Sequence, residues 1–420
     1  AAADPALRRL DVTWRGFPLC VLHGIPGVVA EPQDVDTTVV DEGSLDPYFA
    51  EFFRHFVHAD ACGACPERDR CPGLQRRYRD RLGDAHLRAI AAAEVPGDVG
   101  DLAGFAPERD PGRLAVTPTT ACQLRCRYCH VALGREVAPP EVLDHAVDLL
   151  LRSSRDDLEL QFFGGEPLLC TDEVERTMRR AARLAGERGK RVRFTITTNG
   201  LLLDEAFLAL LGEFDARVLL SLDGPPAIQR RDRPQARGQS DVPQRTLEEH
   251  LEALRRSGVP YFVNVVVPPD AAAELPQRVA YLASRGVQTV QLCYAMGPGW
   301  DAAARDAFCQ GLRDCAALAA ELTARGRPLH LQNLGSHAEP TVLSNDLLVD
   351  VDGTVYGDAA LFCAAALPGL RGPYRIGHVG DLDGLDGLRR SRAENLAILR
   401  QTYPEGSPVR TTVDQQLALG

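Results

Sequence analysis

The sequence predicts an α/β protein: a partial (β/α)6 TIM-type barrel with a cysteine-rich N-terminal extension and a small C-terminal α+β appendage. Three observations carry this. Six short apolar runs recur between residues 114 and 296, each closed by Gly, Pro or Asn, and most lead into an amphipathic stretch. The runs are nearly continuous in apolar residues, the pattern of a parallel sheet covered by helices. Six such units make a partial barrel, whose site belongs at the C-terminal ends of its strands.

In chain order, residues 1–100 hold their own cysteine cluster and run into EVPGDVGDLAGFAPERDPGR, a Gly- and Asp-rich linker. The barrel occupies residues 101–326. Its expected strands are LAVT (114–117), LELQFFGG (158–165), VRFTITTNG (192–200), RVLLSLDG (217–224), YFVNVVVPP (261–269) and VQLCYAM (290–296). EVLDHAVDLLLR and LEEHLEALRRSG are two of the covering helices. Residues 327–420 change character: DLLVDVDGTVYG reads as a hairpin with DG at its turn, followed by a polar tail. There is no solenoid repeat and no low-complexity tract.

Composition narrows the partners. A 420-residue chain with 45% hydrophobic and 25% charged residues is an ordinary globular protein. Its 47 basic and 58 acidic residues leave a net charge of −11, which argues against nucleic acid, a tRNA-modifying role and an anionic membrane surface. No apolar run approaches the ~20 residues of a spanning helix. The start, AAADPALRRLDV, lacks the apolar middle of a signal peptide, so a cytoplasmic location is expected. In that reducing compartment the twelve cysteines read as metal ligands or buried thiols.

Three of them follow the first strand directly, in ACQLRCRYCH: Cys122, Cys126 and Cys129. Three thiolates hold three irons of a 4Fe–4S cube and leave the fourth open for chemistry, as a missing protein ligand does in catalytic zinc sites. A zinc knuckle completed by His130, or three unrelated core cysteines, is the alternative.

Cys122-x3-Cys126-x2-Cys129, with Tyr128 before the last cysteine, resembles the signature of the radical S-adenosylmethionine (radical SAM) superfamily. The resemblance implies a SAM-binding 4Fe–4S cluster, reductive cleavage of S-adenosylmethionine to a 5′-deoxyadenosyl radical, and hydrogen abstraction from a substrate. FFGGEPLL, at the end of the second strand, is similar to the family's GGEP motif. Gly164, Gly165, Glu166 and Pro167 would then cradle the methionine amino group, with Glu166 accepting from the ammonium. The third strand ends in TTNG, placing Thr198 and Asn199 in the cofactor-binding set. SLDGPPAIQRRDRP resembles the serine-then-arginine pattern of the peptide- and protein-modifying branch. By that match Ser221 would bond the ribose or carboxylate side of the cofactor, and Arg233 would pair with its carboxylate. Asp223 belongs to the same set, or is a turn residue before Gly224.

A second set, Cys62-x2-Cys65-x5-Cys71 with Cys20 upstream, suits a closed auxiliary 4Fe–4S cluster or a zinc site. Its spacing resembles the auxiliary-cluster motif of the SPASM subfamily, whose members mature ribosomally made peptides and sulfatases. There the motif follows the barrel; here it precedes it. LLVDVDGTVYGDAALFC and PYRIGHVGDL resemble the post-barrel hairpin, yet Gly357 and Asp358 stand where the first auxiliary cysteine would be. The tail thus looks like a twitch-like appendage without cysteines. Asp358 is a candidate acid/base, or a solvated turn carboxylate. Cys170, Cys293, Cys309, Cys315 and Cys363 are expected to be buried small hydrophobes.

The reading that follows is a radical SAM oxidoreductase or maturase acting on a peptide or protein side chain to form a crosslink, an epimer or an oxidised residue. Its electron donor would be of the flavodoxin or ferredoxin kind. A radical dehydrogenase or mutase on a small metabolite, and a noncatalytic iron–sulfur carrier or scaffold, are the alternatives.

Overall fold

A computed structural model describes residues 112–236, 244–332, 346–357 and 367–417 (386 and 391 excepted), with short pieces of the first eighty residues. The chain divides into two compact units, Ala1–Pro107 and Glu108–Gly420. In the first unit, Thr13–Trp14 pairs parallel with Val29–Ala30, and Phe56–Val57 pairs antiparallel with Leu74–Gln75. A 3-10 turn, Asp60–Ala64, lies between the second pair.

The second unit is built on one sheet. Its strands are β1 (Arg113–Val116), β2 (Asp157–Phe162), β3 (Arg191–Thr198), β4 (Ala216–Ser221), β5 (Tyr261–Val267), β6 (Thr289–Tyr294), β7 (His330–Leu331), β8 (Leu348–Val349), β9 (Thr354–Tyr356) and β10 (Arg375–His378). The order across the sheet is β7-β6-β5-β4-β3-β2-β1-β8-β9-β10. All six expected strands are present, mutually parallel and in sequential order, and the sheet does not close. Helices α1 (Pro140–Leu150), α2 (Thr171–Glu187), α3 (Glu205–Gly212), α4 (Pro226–Asp232), α5 (Gln244–Ser257), α6 (Leu275–Ser284) and α7 (Ala302–Ala324) fill the crossovers.

Burial differs from the continuous apolar pattern in one respect. Leu158, Leu160 and Phe162 alternate with polar neighbours, as do Val192, Phe194 and Ile196, and they pack with Val142, Val147, Val174 and Met178 of the helices into one core. The opposite face is polar. Thr195 donates to Glu159 at 2.6 Å, Arg217 donates to both, and Gln161 donates to Thr197 at 2.9 Å. These polar side chains satisfy one another on the inner face, so alternation survives beneath runs that look uniformly apolar. At the N-terminal ends of the strands a cavity of about 490 Å³ is lined by such ion pairs, among them Arg191–Asp157 and Arg193–Asp215.

The C-terminal residues extend this sheet. β8 pairs parallel with β1 (Leu348 beside Ala115), and β9 folds back on it across the expected Asp352–Gly353 turn. Gly353 has φ +81°, the left-handed region the turn requires. β10, α8 (Arg371–Tyr374), α9 (Arg392–Thr402) and α10 (Pro408–Leu417) complete the appendage around a smaller core that includes Tyr374, Leu399 and Tyr403. No helix among the described residues is long and apolar enough to cross a membrane.

Candidate active site

The three cysteines follow β1 at the C-terminal ends of the strands, where a barrel site belongs. Their loop is held from two sides. On one, the β1–β2 ladder continues beyond both strands: Phe163 N donates to Val116 O, Gly165 N to Thr119 O and Glu166 N to Ala121 O, at 2.8–2.9 Å. That approach needs both glycines. A Cβ on Gly165 would overlap the Ala121 carbonyl, and Gly164, at φ +119°, lies against Thr117. The Gly165 amide therefore ties the loop to the end of β2.

On the other side, residues 232–236 run antiparallel to residues 123–127. Arg125 N donates to Pro234 O, Arg127 N to Asp232 O and Ala236 N to Gln123 O, and Leu124 bridges Gln235. The Asp232 carboxylate is fully buried and accepts from Arg127 at 3.1 Å, Arg231 at 2.8 Å and Arg278 at 2.6 Å. Sequence reasoning missed this hub. Its one visible signal is a lone acid within the arginine-rich RRDR segment.

Tyr128, Asp223 and Arg233 come together beneath the loop. The Tyr128 hydroxyl donates to Asp223, and Arg233 donates to both Asp223 oxygens at 3.0 and 3.1 Å. The Arg233 guanidinium lies 5.3 Å from the Tyr128 ring centroid. Burial opposes the Arg233 charge, and Asp223, Tyr128 and Cys126 together outweigh it and hold the guanidinium charged. Asp223 is wholly buried, and the fork of Arg233 that the resemblance directs at a cofactor carboxylate is engaged by Asp223.

Glu166 is also buried. It accepts from Leu168 N at 3.1 Å and Thr198 Oγ1 at 2.8 Å on one oxygen, and from Asn199 N at 2.8 Å on the other. Burial raises its carboxyl to about 7 against those three donors. Pro167 opens the short 3-10 turn after it. Ser221 ends β4, half-buried, beside Asn264 of β5.

Burial raises all three thiols, that of Cys126 to about 12, and each responds to the charge of another of the set or of Arg233. Leu124 N and Asn199 Nδ2 approach Cys122 Sγ at 3.4 and 3.8 Å. Among the described residues no three His, Cys, Asp or Glu side chains converge on a point that would hold one ion. Three neighbouring thiols at the strand ends suit a polynuclear cluster, one thiolate per iron. His130 stacks on Phe163 (centroids 6.0 Å apart), and burial lowers its pKa to about 4.

In the N-terminal unit, Cys62 and Cys65 flank a turn closed by Cys65 N donating to Cys62 O at 3.1 Å. The Cys126–Cys129 turn carries the same bond at the same length. Cys20, Cys71, Asp358 and Cys363 lie outside the described residues. Of the remaining thiols, Cys170 and Cys315 are buried, Cys293 donates to Asn264 Oδ1 at 3.1 Å, and Cys309, expected in apolar surroundings, is exposed on α7.

The model of the radical SAM superfamily matches residues 116–281. A cysteine-type anaerobic sulfatase-maturating enzyme of Clostridium perfringens is 25% identical over 197 residues, covering 45% of this chain and 53% of the relative. A GTP 3′,8-cyclase of Corynebacterium glutamicum is 38% identical over 130 residues, covering 29% and 34%. The chain thus spans about half, or less, of the length of these curated relatives. Among solved structures, native anSMEcpe with bound AdoMet superimposes with a TM-score of 0.57 at 20% identity, over 69% of this chain and 83% of that one, a likeness of fold. Taken with the cysteine loop and the strand ends around it, the match identifies residues 116–281 of this chain as a radical SAM domain.

Proposed function

We propose that this chain is a radical SAM enzyme that cleaves S-adenosylmethionine reductively and abstracts hydrogen from a peptide or protein side chain. The observation that carries the reading is the cysteine loop itself: three thiols at the C-terminal ends of the strands, in a loop held from both sides. When bound, a 4Fe–4S cluster and S-adenosylmethionine supply the 5′-deoxyadenosyl radical. Cys122, Cys126 and Cys129 hold the cluster. Gly164, Gly165, Glu166 and Pro167 shape one wall of the cofactor pocket, and Thr198, Asn199 and Ser221 extend it along the ends of β3 and β4. The Tyr128–Asp223–Arg233 group fixes the floor of the loop and sets a buried guanidinium beside Cys126.

Support for a peptide substrate comes from the sulfatase-maturating relatives, and from the structure of anSMEcpe solved with the Kp18Cys peptide. The GTP 3′,8-cyclase relatives favour the second reading, radical chemistry on a small molecule. Cys62 and Cys65, whose turn matches that of Cys126 and Cys129, contribute to an auxiliary cluster with Cys20 and Cys71; a small one-electron carrier reduces the enzyme.

The test is anaerobic reconstitution followed by dithionite and S-adenosylmethionine. Wild type yields 5′-deoxyadenosine and Cys126→Ala yields none; product from the variant would overturn the assignment. Mass spectrometry of candidate peptides after turnover then separates peptide from small-molecule chemistry.

A further inference from the structure

We infer that Asn199 is a positioning residue for the cluster's electron affinity: its side-chain amide donates to the Cys122 sulfur, and Glu166 holds it there. The inference rests on the radical SAM reading above. Asn199 is buried, and three contacts determine its orientation. Its backbone N donates to Glu166 Oε2 at 2.8 Å, which anchors the residue to the end of β2. Its Oδ1 accepts from Leu201 N at 3.0 Å, so the carbonyl end of the amide is engaged. The Nδ2 end is thereby turned to Cys122 Sγ, 3.8 Å away.

The three thiols are consequently unequal. Cys122 receives the Leu124 amide at 3.4 Å as well as Asn199. Cys126 has no such donor among the described residues and lies in the field of Arg233. Reduction adds one negative charge to a thiolate-bound cluster, and N–H donors on a ligating sulfur stabilise the more negative state, so they raise the potential. Glu166 thus has a task inside the protein: with both oxygens engaged by Thr198, Leu168 and Asn199, it carries the end of β3 to the cysteine loop.

The experiment is a potentiometric titration of the reconstituted full-length chain, followed by electron paramagnetic resonance. The signal is assigned to the trio by its absence in Cys126→Ala. Asn199→Ala removes the donor; Asn199→Asp removes it while keeping the size and the acceptor for Leu201. We expect the reduced-to-oxidised ratio at fixed ambient potential to fall about tenfold in Asn199→Ala, or about 59 mV for one electron, and further in Asn199→Asp, with iron content unchanged. Should Asn199→Ala not fold, Asn199→Asp alone decides. Wild-type potential in the folded variants overturns the inference and leaves the cluster assignment standing. A wild-type protein that holds no iron on the trio overturns both.

Discussion

Asp223 and Arg233 form a two-bond ion pair whose side chains are 0% and 6% exposed, and its energetics can be isolated. Replacing Arg233 with Met leaves a buried carboxylate that keeps, among the described residues, only the Tyr128 hydroxyl and the Val266 backbone amide as donors to it. Removing one member of a buried pair costs about 3–5 kcal/mol, because the other charge remains without compensation. Asp223→Asn strands the guanidinium and should cost a similar amount. The double variant removes both charges, so its loss should fall short of the sum by at least about 2 kcal/mol. Urea unfolding of the cluster-free full chain gives these values. The chain has two tryptophans, and Trp300 is fully buried in the second unit, so a Trp14→Phe background makes its fluorescence report that unit alone. Single losses under about 1 kcal/mol, or strictly additive ones, would refute the claim that this pair anchors the floor of the cysteine loop.

Three further outcomes follow from the same geometry. Glu166, raised to about 7 in the folded protein from an unfolded value near 4.3, contributes stability that is fully present below pH ~4 and lost as pH rises through 7. Between pH 5 and 8, wild type should therefore lose about 2.5 kcal/mol relative to Glu166→Gln in denaturant titrations; a flat difference would contradict the raised value. Gly165→Ala drives a Cβ into the Ala121 carbonyl, so it should cost about 1–3 kcal/mol and speed iron loss on gel filtration. Iron analysis should find about eight irons in reconstituted wild type and about four in Cys62→Ala, because the two cysteine sets fill separately; four irons and one zinc in wild type would reassign the N-terminal set.

The strands were legible because each is a short β-rich run closed by Gly, Pro or Asn, and the cysteine loop because its spacing is strict. What sequence could not supply is who partners whom. Glu166 and Arg233 carry charges suited to a ligand, yet in the fold their atoms are engaged by Thr198, Asn199 and Asp223. Such partners are set by how strand ends meet in space, and a charge pattern along the chain leaves that open. The pairing of residues 123–127 with 232–236 escaped notice for the same reason: neither segment has strand periodicity, and the contact spans the first half of the barrel. β7, two residues long, is too short to leave an alternation at all.

The place of β8 sets an order of events. β1, which leads into the cysteine loop, is flanked by β2 on one edge and by β8 on the other, and its partner residues on β8 are made more than two hundred residues later. Thr117, the first residue beyond β1, donates its amide to Val349. A ribosome must therefore deliver the whole barrel and the start of the appendage before the stem of the metal loop has both neighbours. Closing so distant a contact comes late in folding. Iron insertion into a nascent chain would meet an unfinished cradle; the finished one is available only after the appendage has docked.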